Sequence, residues 1–207
     1  MVHYVARAAD IRLVPAHGGH SEGFLRCAVI DRASGSVHTE LGLCELSARG
    51  QVHIHVQSFE EFFYVTEGNP ILVLEGRGYP LRPGACGVIP VGTPHGWIGP
   101  EAGTARWIDM LTPIPRGPEG PRDVFFLGPP GDVPVEPLDI RDPRTRHFFH
   151  MADDDIVVDK LKVGARIDAP TVSASMATAL LAYSGIAVKM LVDQRMSAAL
   201  GTMFMVE

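Results

Sequence analysis

Four side chains between Gln51 and His95 have the types and spacing of a metal site. His53 and His55 stand two apart, Glu61 follows a short break, and His95 sits behind a Pro90-Val91-Gly92-Thr93-Pro94 turn. Successive side chains on a strand point to opposite faces. In QVHIHVQ this would aim His53 and His55 from one face and leave Val52, Ile54 and Val56 on the other. Three neutral imidazoles plus a carboxylate suit a borderline divalent ion such as Mn, Fe, Co, Ni or Zn. A six-coordinate ion so held keeps two positions for water, substrate or dioxygen. Open positions favour catalysis over a purely structural metal.

The elements that must position these groups read as short strands. EEFFYVTEG is aromatic and β-branched and stops at Gly68; Glu61, Phe63 and Val65 share one of its faces. Glu61 is the preferred carboxylate, with Glu60 as the fallback, expected to point outward as a solvated charge. GACGVIPVGTPHGWIG supplies a short apolar strand, a turn, and then His95 and Trp97 on one strand face. Further runs, LRCAVID, VHTELGLCEL, PILVLEG and ARWIDML, are punctuated by Gly and Pro, and Glu75-Gly76-Arg77-Gly78 reads as a hairpin. Many short strands and no long helical period predict an all-β sandwich or barrel.

These residues resemble the cupin superfamily, whose first motif is Gly-x5-His-x-His-x3-5-Glu-x6-Gly and whose second is Gly-x5-Pro-x-Gly-x2-His-x3-Asn. His53, His55, Glu61 and Gly68 fall on the first motif, although Gly50 precedes His53 by only two intervening residues; Gly84, Pro90, Gly92 and His95 fall on the second, with Gly99 at the Asn position. The resemblance covers roughly residues 35–112. It implies a cupin-type antiparallel jelly-roll barrel with an internal divalent transition metal (Fe, Mn, Ni or Zn) held by His53, His55, Glu61 and His95. It also implies a metal-dependent enzyme acting on a small oxygenated organic substrate. Dioxygenase chemistry comes first, with isomerase, decarboxylase or amidohydrolase chemistry behind it. The alternative is a non-enzymatic cupin that binds or senses a small molecule. Phe63 and Trp97 are the expected substrate-lining residues, because they share faces with Glu61 and His95; no general base is assigned.

Composition narrows the partners. The 207-residue chain has a net charge of −6 and no basic cluster, which argues against a nucleic-acid or anionic-membrane surface and favours a small molecule. Cys27, Cys44 and Cys86 lack Cys-x-x-Cys spacing and read as small hydrophobes in a reducing compartment. With no leader-like start, the expected location is the cytoplasm. His17-Gly18-Gly19-His20 reads as a polar loop, His147 with His150 as a turn, and Asp153-Asp154-Asp155 as solvated charge.

Three regions are expected: a barrel over 1–112, a Pro-rich connector over 113–145 with DVFFLG as its apolar island, and a partial second cupin-like segment over 146–207. The segment from Ile186, IAVKMLVDQRMSAALGTMFM, is similar to that from Cys27, CAVIDRASGSVHTELGLCEL, at an offset of 159, which would carry the counterpart of His53 to position 212. Apolar residues such as Leu180, Leu181, Ile186, Val188, Met190, Met203, Phe204 and Met205 then need cover from the first barrel or from a second copy, so a homodimer is expected.

Overall fold

The computed structural model describes residues 4–116, 123–139, 142–151, 178–181 and 186–206. It is built almost wholly of antiparallel strands: β1 Val14–Pro15, β2 Ser21–Ile30, β3 Glu40–Gln57, β4 Glu60–Glu67, β5 Ile71–Leu74, β6 Arg77–Pro80, β7 Ala85–Ile89, β8 His95–Ile98, β9 Thr104–Thr112, β10 Val124–Gly128, β11 Phe148–His150, β12 Thr178–Leu181, β13 Ile186–Val192 and β14 Met203–Val206. The first eleven form one curled sheet with the order β11-β7-β4-β9-β3-β8-β5-β6, to which β1, β2 and β10 attach through β3. This is an all-β jelly-roll barrel. None of the described helices is long and apolar enough to cross a membrane.

β3 organises the barrel. From Glu40 onward the two runs VHTELGLCEL and QVHIHV, separate in the sequence reading, are one 18-residue strand. Its first part pairs with β9 from Glu40 to Ser47, and its second pairs with β8 from Gln51 to His55 and with β10 from Ile54 to Gln57. The strand turns at Ser47–Gly50, where Arg49 takes a positive φ of 58°. The chain at Gly99 lies against this corner, its N–H donating to the Gly50 carbonyl at 2.8 Å. A Cβ at position 99 would come within 2.2 Å of the Ser47 carbonyl, so the corner accepts only glycine where the motif has Asn.

DVFFLG supplies a strand laid on the barrel: β10 pairs antiparallel with the histidine end of β3, Phe126 opposite His55. β11 likewise extends the sheet along β7. Strands from beyond residue 112 therefore close the barrel around the expected site. The β5–β6 hairpin turns at Glu75 and Gly76, both at positive φ.

Inside the barrel, Phe24, Leu46, Val52, Phe63, Val65, Leu72, Trp97, Trp107 and Phe148 form the main core. A second cluster lies on the outer face of β4 and β7, where Phe62, Cys86 and Val88 pack with Phe149, Met151, Leu191, Val192 and Met196. The C-terminal segment thus docks on the barrel, the cover that its apolar residues require. Glu60, expected to be solvated, is 2% exposed, and its carboxylate accepts the Ala199 and Leu200 N–H groups at 2.7 and 2.8 Å. It anchors the C-terminal segment, and two charge-assisted bonds offset the cost of burying the charge. His147 adds a second tie, its Nδ1 lying 2.9 Å from the Met196 carbonyl.

β13 and β14 pair antiparallel, as β2 and β3 do, but not in equivalent register. Cys27 opposes Leu43, so the offset of 159 would set Ile186 against Thr202, whereas Lys189 opposes Met205. The Asp153–Asp155 triplet lies outside the described residues.

Candidate metal centre

His55 and His95 oppose each other across the β3–β8 pair, with ring centres 4.1 Å apart. Each ring is oriented from behind. The Nδ1 of His55 lies 2.8 Å from the His53 carbonyl, and that of His95 lies 2.8 Å from the Thr93 carbonyl. A carbonyl can only accept, so Nδ1–H donates, and in the neutral ring Nε2 carries the lone pair, the tautomer a metal ligand needs. Glu61 reaches the pair across the interior from β4, its Oε2 3.4 Å from His95 Nε2. Ligand atoms from His55, Glu61 and His95 all lie within 4.8 Å of one another. His95 Nε2 is buried without a hydrogen-bond partner. Such an unpaired acceptor costs about 1–3 kcal/mol unless something occupies it, and a divalent cation fits this donor set.

The charge states suit a cation. Burial, then the neighbouring His95, lowers His55 to about 3, so it is neutral at physiological pH. Burial alone would raise Glu61, but His95, His55 and the Gln57 amide hold it down to about 2, so it is ionised. Both groups bind fewer protons folded than unfolded, over about pH 3–6.5 for His55 and about pH 2–4.5 for Glu61. Stability is therefore expected to fall on acidification below pH 6.5, by about 1.4 kcal/mol per pH unit for each proton of difference. Thermal melts of metal-free protein between pH 7.5 and 5.0 measure it, and a flat melting temperature would contradict the neutral, buried His55.

His53, expected as the second imidazole, does not join the group. Val52 opposes Trp97 and His55 opposes His95, so β3 spends three residues where β8 spends two. This one-residue bulge breaks the alternation assumed for QVHIHVQ: Val52 and His55 both turn inward and His53 is left on the other side. The His53 ring instead lies edge-on to His20, 5.6 Å between centres. Gln57, two residues beyond His55, is the next inward residue; it is 4% exposed and its Nε2 donates to Glu61 Oε2 at 3.2 Å.

The centre opens into a cavity of about 190 Å3, lined by Trp97, Trp107, Phe24, Val52 and polar groups. Phe63 does not line it; it packs edge-on against Trp97, 5.5 Å between centres, within the core. Trp107 stacks between Trp97 and Phe24 at 4.6 and 5.7 Å, and its indole N–H is buried with no partner. Beside these rings Arg26 holds Asp109 with two bonds, Nε to Oδ2 at 2.6 Å and Nη2 to Oδ1 at 2.9 Å, and Glu40 through Nη1 at 2.5 Å. Cys44 also points its thiol at Asp109, 3.3 Å away. A Cβ on Gly42 would strike both Asp109 and Arg26 within 2.6 Å, so glycine there makes room for the pair. His17 lines the cavity too, stacked on Phe24 and 5.6 Å from His55 between ring centres, rather than lying in an open polar loop.

The sequence reading missed Arg26, Glu40, Gln57 and Asp109. The alternation of Trp107, Asp109 and Leu111 in ARWIDMLT marks Asp109 as inward-facing, but no spacing rule linked it to Arg26, 83 positions away.

Residues 43–111 match the family model described as Cupin domain. These residues form a cupin domain. Among solved structures it is similar to the polyketide cyclase RemF from Streptomyces resistomycificus, at 27% identity over 63% of this chain and 90% of that one, with a TM-score of 0.52. A protein from Pseudomonas aeruginosa described as glyoxylate induced shares the fold at 12% identity and a TM-score of 0.51, over 86% of this chain, which spans 52% of that one. No curated protein matches the sequence.

Proposed function

We infer that this cupin is a metal-dependent enzyme acting on a small oxygenated organic molecule. The observation that carries the reading is the buried His55, Glu61 and His95 group, with an unpaired Nε2 on His95, opening into an aromatic-walled cavity. Bound there, a divalent ion supplies Lewis acidity toward a substrate oxygen, or a site for dioxygen. Trp97 and Trp107 would flank a planar substrate, and the free indole N–H of Trp107 would donate to one of its oxygens. Arg26 keeps Asp109 and Glu40 as ordered acceptors for substrate hydroxyls. The cavity is smaller than the about 300–1,000 Å3 of typical ligand pockets, which favours a molecule of single-ring size.

The likeness to a polyketide cyclase supports carbonyl-directed chemistry, in which an enolisable substrate is held and oriented without consuming oxygen. Dioxygenase chemistry is the competing use of the same centre. The deciding experiment loads purified protein with Fe, Mn, Ni or Zn and offers small phenols, catechols and β-dicarbonyl compounds, with and without oxygen. Turnover that persists anaerobically supports the carbonyl reading, and stoichiometric oxygen uptake supports the dioxygenase. Saturable binding with no turnover under either condition would instead favour a small-molecule sensor.

Residues 146–207 are read as a partial second cupin-like segment. Its exposed Leu200, Phe204 and Val206 are the proposed contact of a homodimer; a monomeric mass by light scattering on the same preparation would contradict this. Three free cysteines, with burial pushing up the Cys44 and Cys86 thiols, suit a cytoplasmic setting.

A further inference from the structure

We propose that Gln57, through its side-chain carboxamide oxygen, is a fourth protein ligand of the metal held by His55, Glu61 and His95, in the role expected for His53. The inference rests on the metal reading above and specifies its donor set.

Past the bulge at 52–55, β3 resumes strict alternation, so His55 and Gln57 point to the same side. Both are buried and both line the cavity. The Gln57 amide nitrogen is engaged, donating to Glu61 Oε2, which directs that face of the amide at a carboxylate of the ligand group. Among the described residues no hydrogen bond reaches its Oε1. The amide thus has its donor engaged and its acceptor free, and a cation beside Glu61 would be the partner of that oxygen.

The backbone holds Gln57 in place on both sides. Its carbonyl accepts the Gly92 N–H at 2.9 Å, tying it to the turn that delivers His95, and it opposes Val124 of β10. His53 has no comparable route inward, because its N–H is bonded to the His20 carbonyl at 2.9 Å and its ring packs on His20.

The consequence concerns metal choice. Two imidazoles, a carboxylate and a carboxamide oxygen form a harder donor set than three imidazoles and a carboxylate. Exchanging nitrogen for oxygen weakens the preference for Zn over Mn.

The test is a Co2+ titration of the full chain followed by visible absorption, for wild type and the variants H53A, Q57A and Q57H, with H55A as the control for the centre itself. H53A should match wild type in affinity and spectrum, while Q57A should weaken binding by at least about tenfold. Q57H, which keeps bulk and a ligand at this position, should retain one Co2+ per chain, shift its d–d bands through the added nitrogen, and raise the Zn2+:Mn2+ affinity ratio. A wild-type spectrum and affinity in Q57A, unmoved bands in Q57H, or loss of metal in H53A would each overturn the assignment while leaving the metal centre standing. Failure of wild type itself to bind Co2+ would overturn the metal reading and this assignment together.

Discussion

Replacing His55 and His95 together by alanine is expected to abolish stoichiometric binding of a divalent metal and, with it, any turnover. Each imidazole presents an Nε2 lone pair because its Nδ1–H is committed to a backbone carbonyl, so the pair is organised before any ion arrives. Without them Glu61 would face a neutral wall; a lone carboxylate does not hold a transition ion against water. The double variant should keep the β-sheet signal in far-UV circular dichroism, since the strand pairing around residues 55 and 95 is made by backbone groups. Removing His95, which is fully buried, also leaves a void, so a lower melting temperature is expected alongside the loss of metal. Elemental analysis before and after dialysis against chelator is the measurement. One metal per chain in the double variant would mean that the His55, Glu61 and His95 group is not the centre.

The second large effect belongs to Arg26. Arg26→Ala is expected to cost about 3–5 kcal/mol of stability, because it strands Asp109 and Glu40 as uncompensated charges in the barrel wall. Burial works against charge on Arg26, but Asp109, Cys44 and Glu40 outweigh it and raise its pKa, so the guanidinium is charged at any physiological pH. Arg26→Lys should recover only part of the loss, since an ammonium cannot reproduce the paired Nε and Nη2 bonds to Asp109. Adding Asp109→Asn to Arg26→Ala should restore stability relative to Arg26→Ala alone, by removing the orphaned charge. Urea midpoints for the three variants decide it. A loss under about 1 kcal/mol in Arg26→Ala would place the pair with weakly coupled surface ion pairs.

Much of this protein is legible without coordinates, where short-range rules apply. The Gly and Pro punctuation announces short strands; Glu75-Gly76 announces its hairpin; and the Pro90 to Pro94 turn delivers His95 to the centre. Glu61 rather than Glu60 faces inward because alternation along EEFFYVTE places it with Phe63 and Val65, all three buried. The role of Glu60 was not legible, since its partners, the Ala199 and Leu200 amides, lie 139 and 140 positions away and no local pattern ties them to it.

The histidine strand shows where local reading stops. The cupin motif can be laid on His53-x-His55-x5-Glu61 or, equally within its spacing, on His55-x-Gln57-x3-Glu61. Choosing between them requires the side-chain phase of β3, which depends on a single extra residue relative to β8. That bulge belongs to a pairing between strands some 40 positions apart, settled by the demand that Val52, Trp97, His55 and His95 all be buried together. By itself, the sequence determined the all-β class, the strand and turn inventory, and three of the residues that converge on the centre, because those follow from side-chain alternation and turn chemistry. Only the tertiary structure decided which face of QVHIHVQ turns inward, that Arg26 and Asp109 meet behind it, and that the C-terminal segment hangs on Glu60, because each is a contact between distant strands.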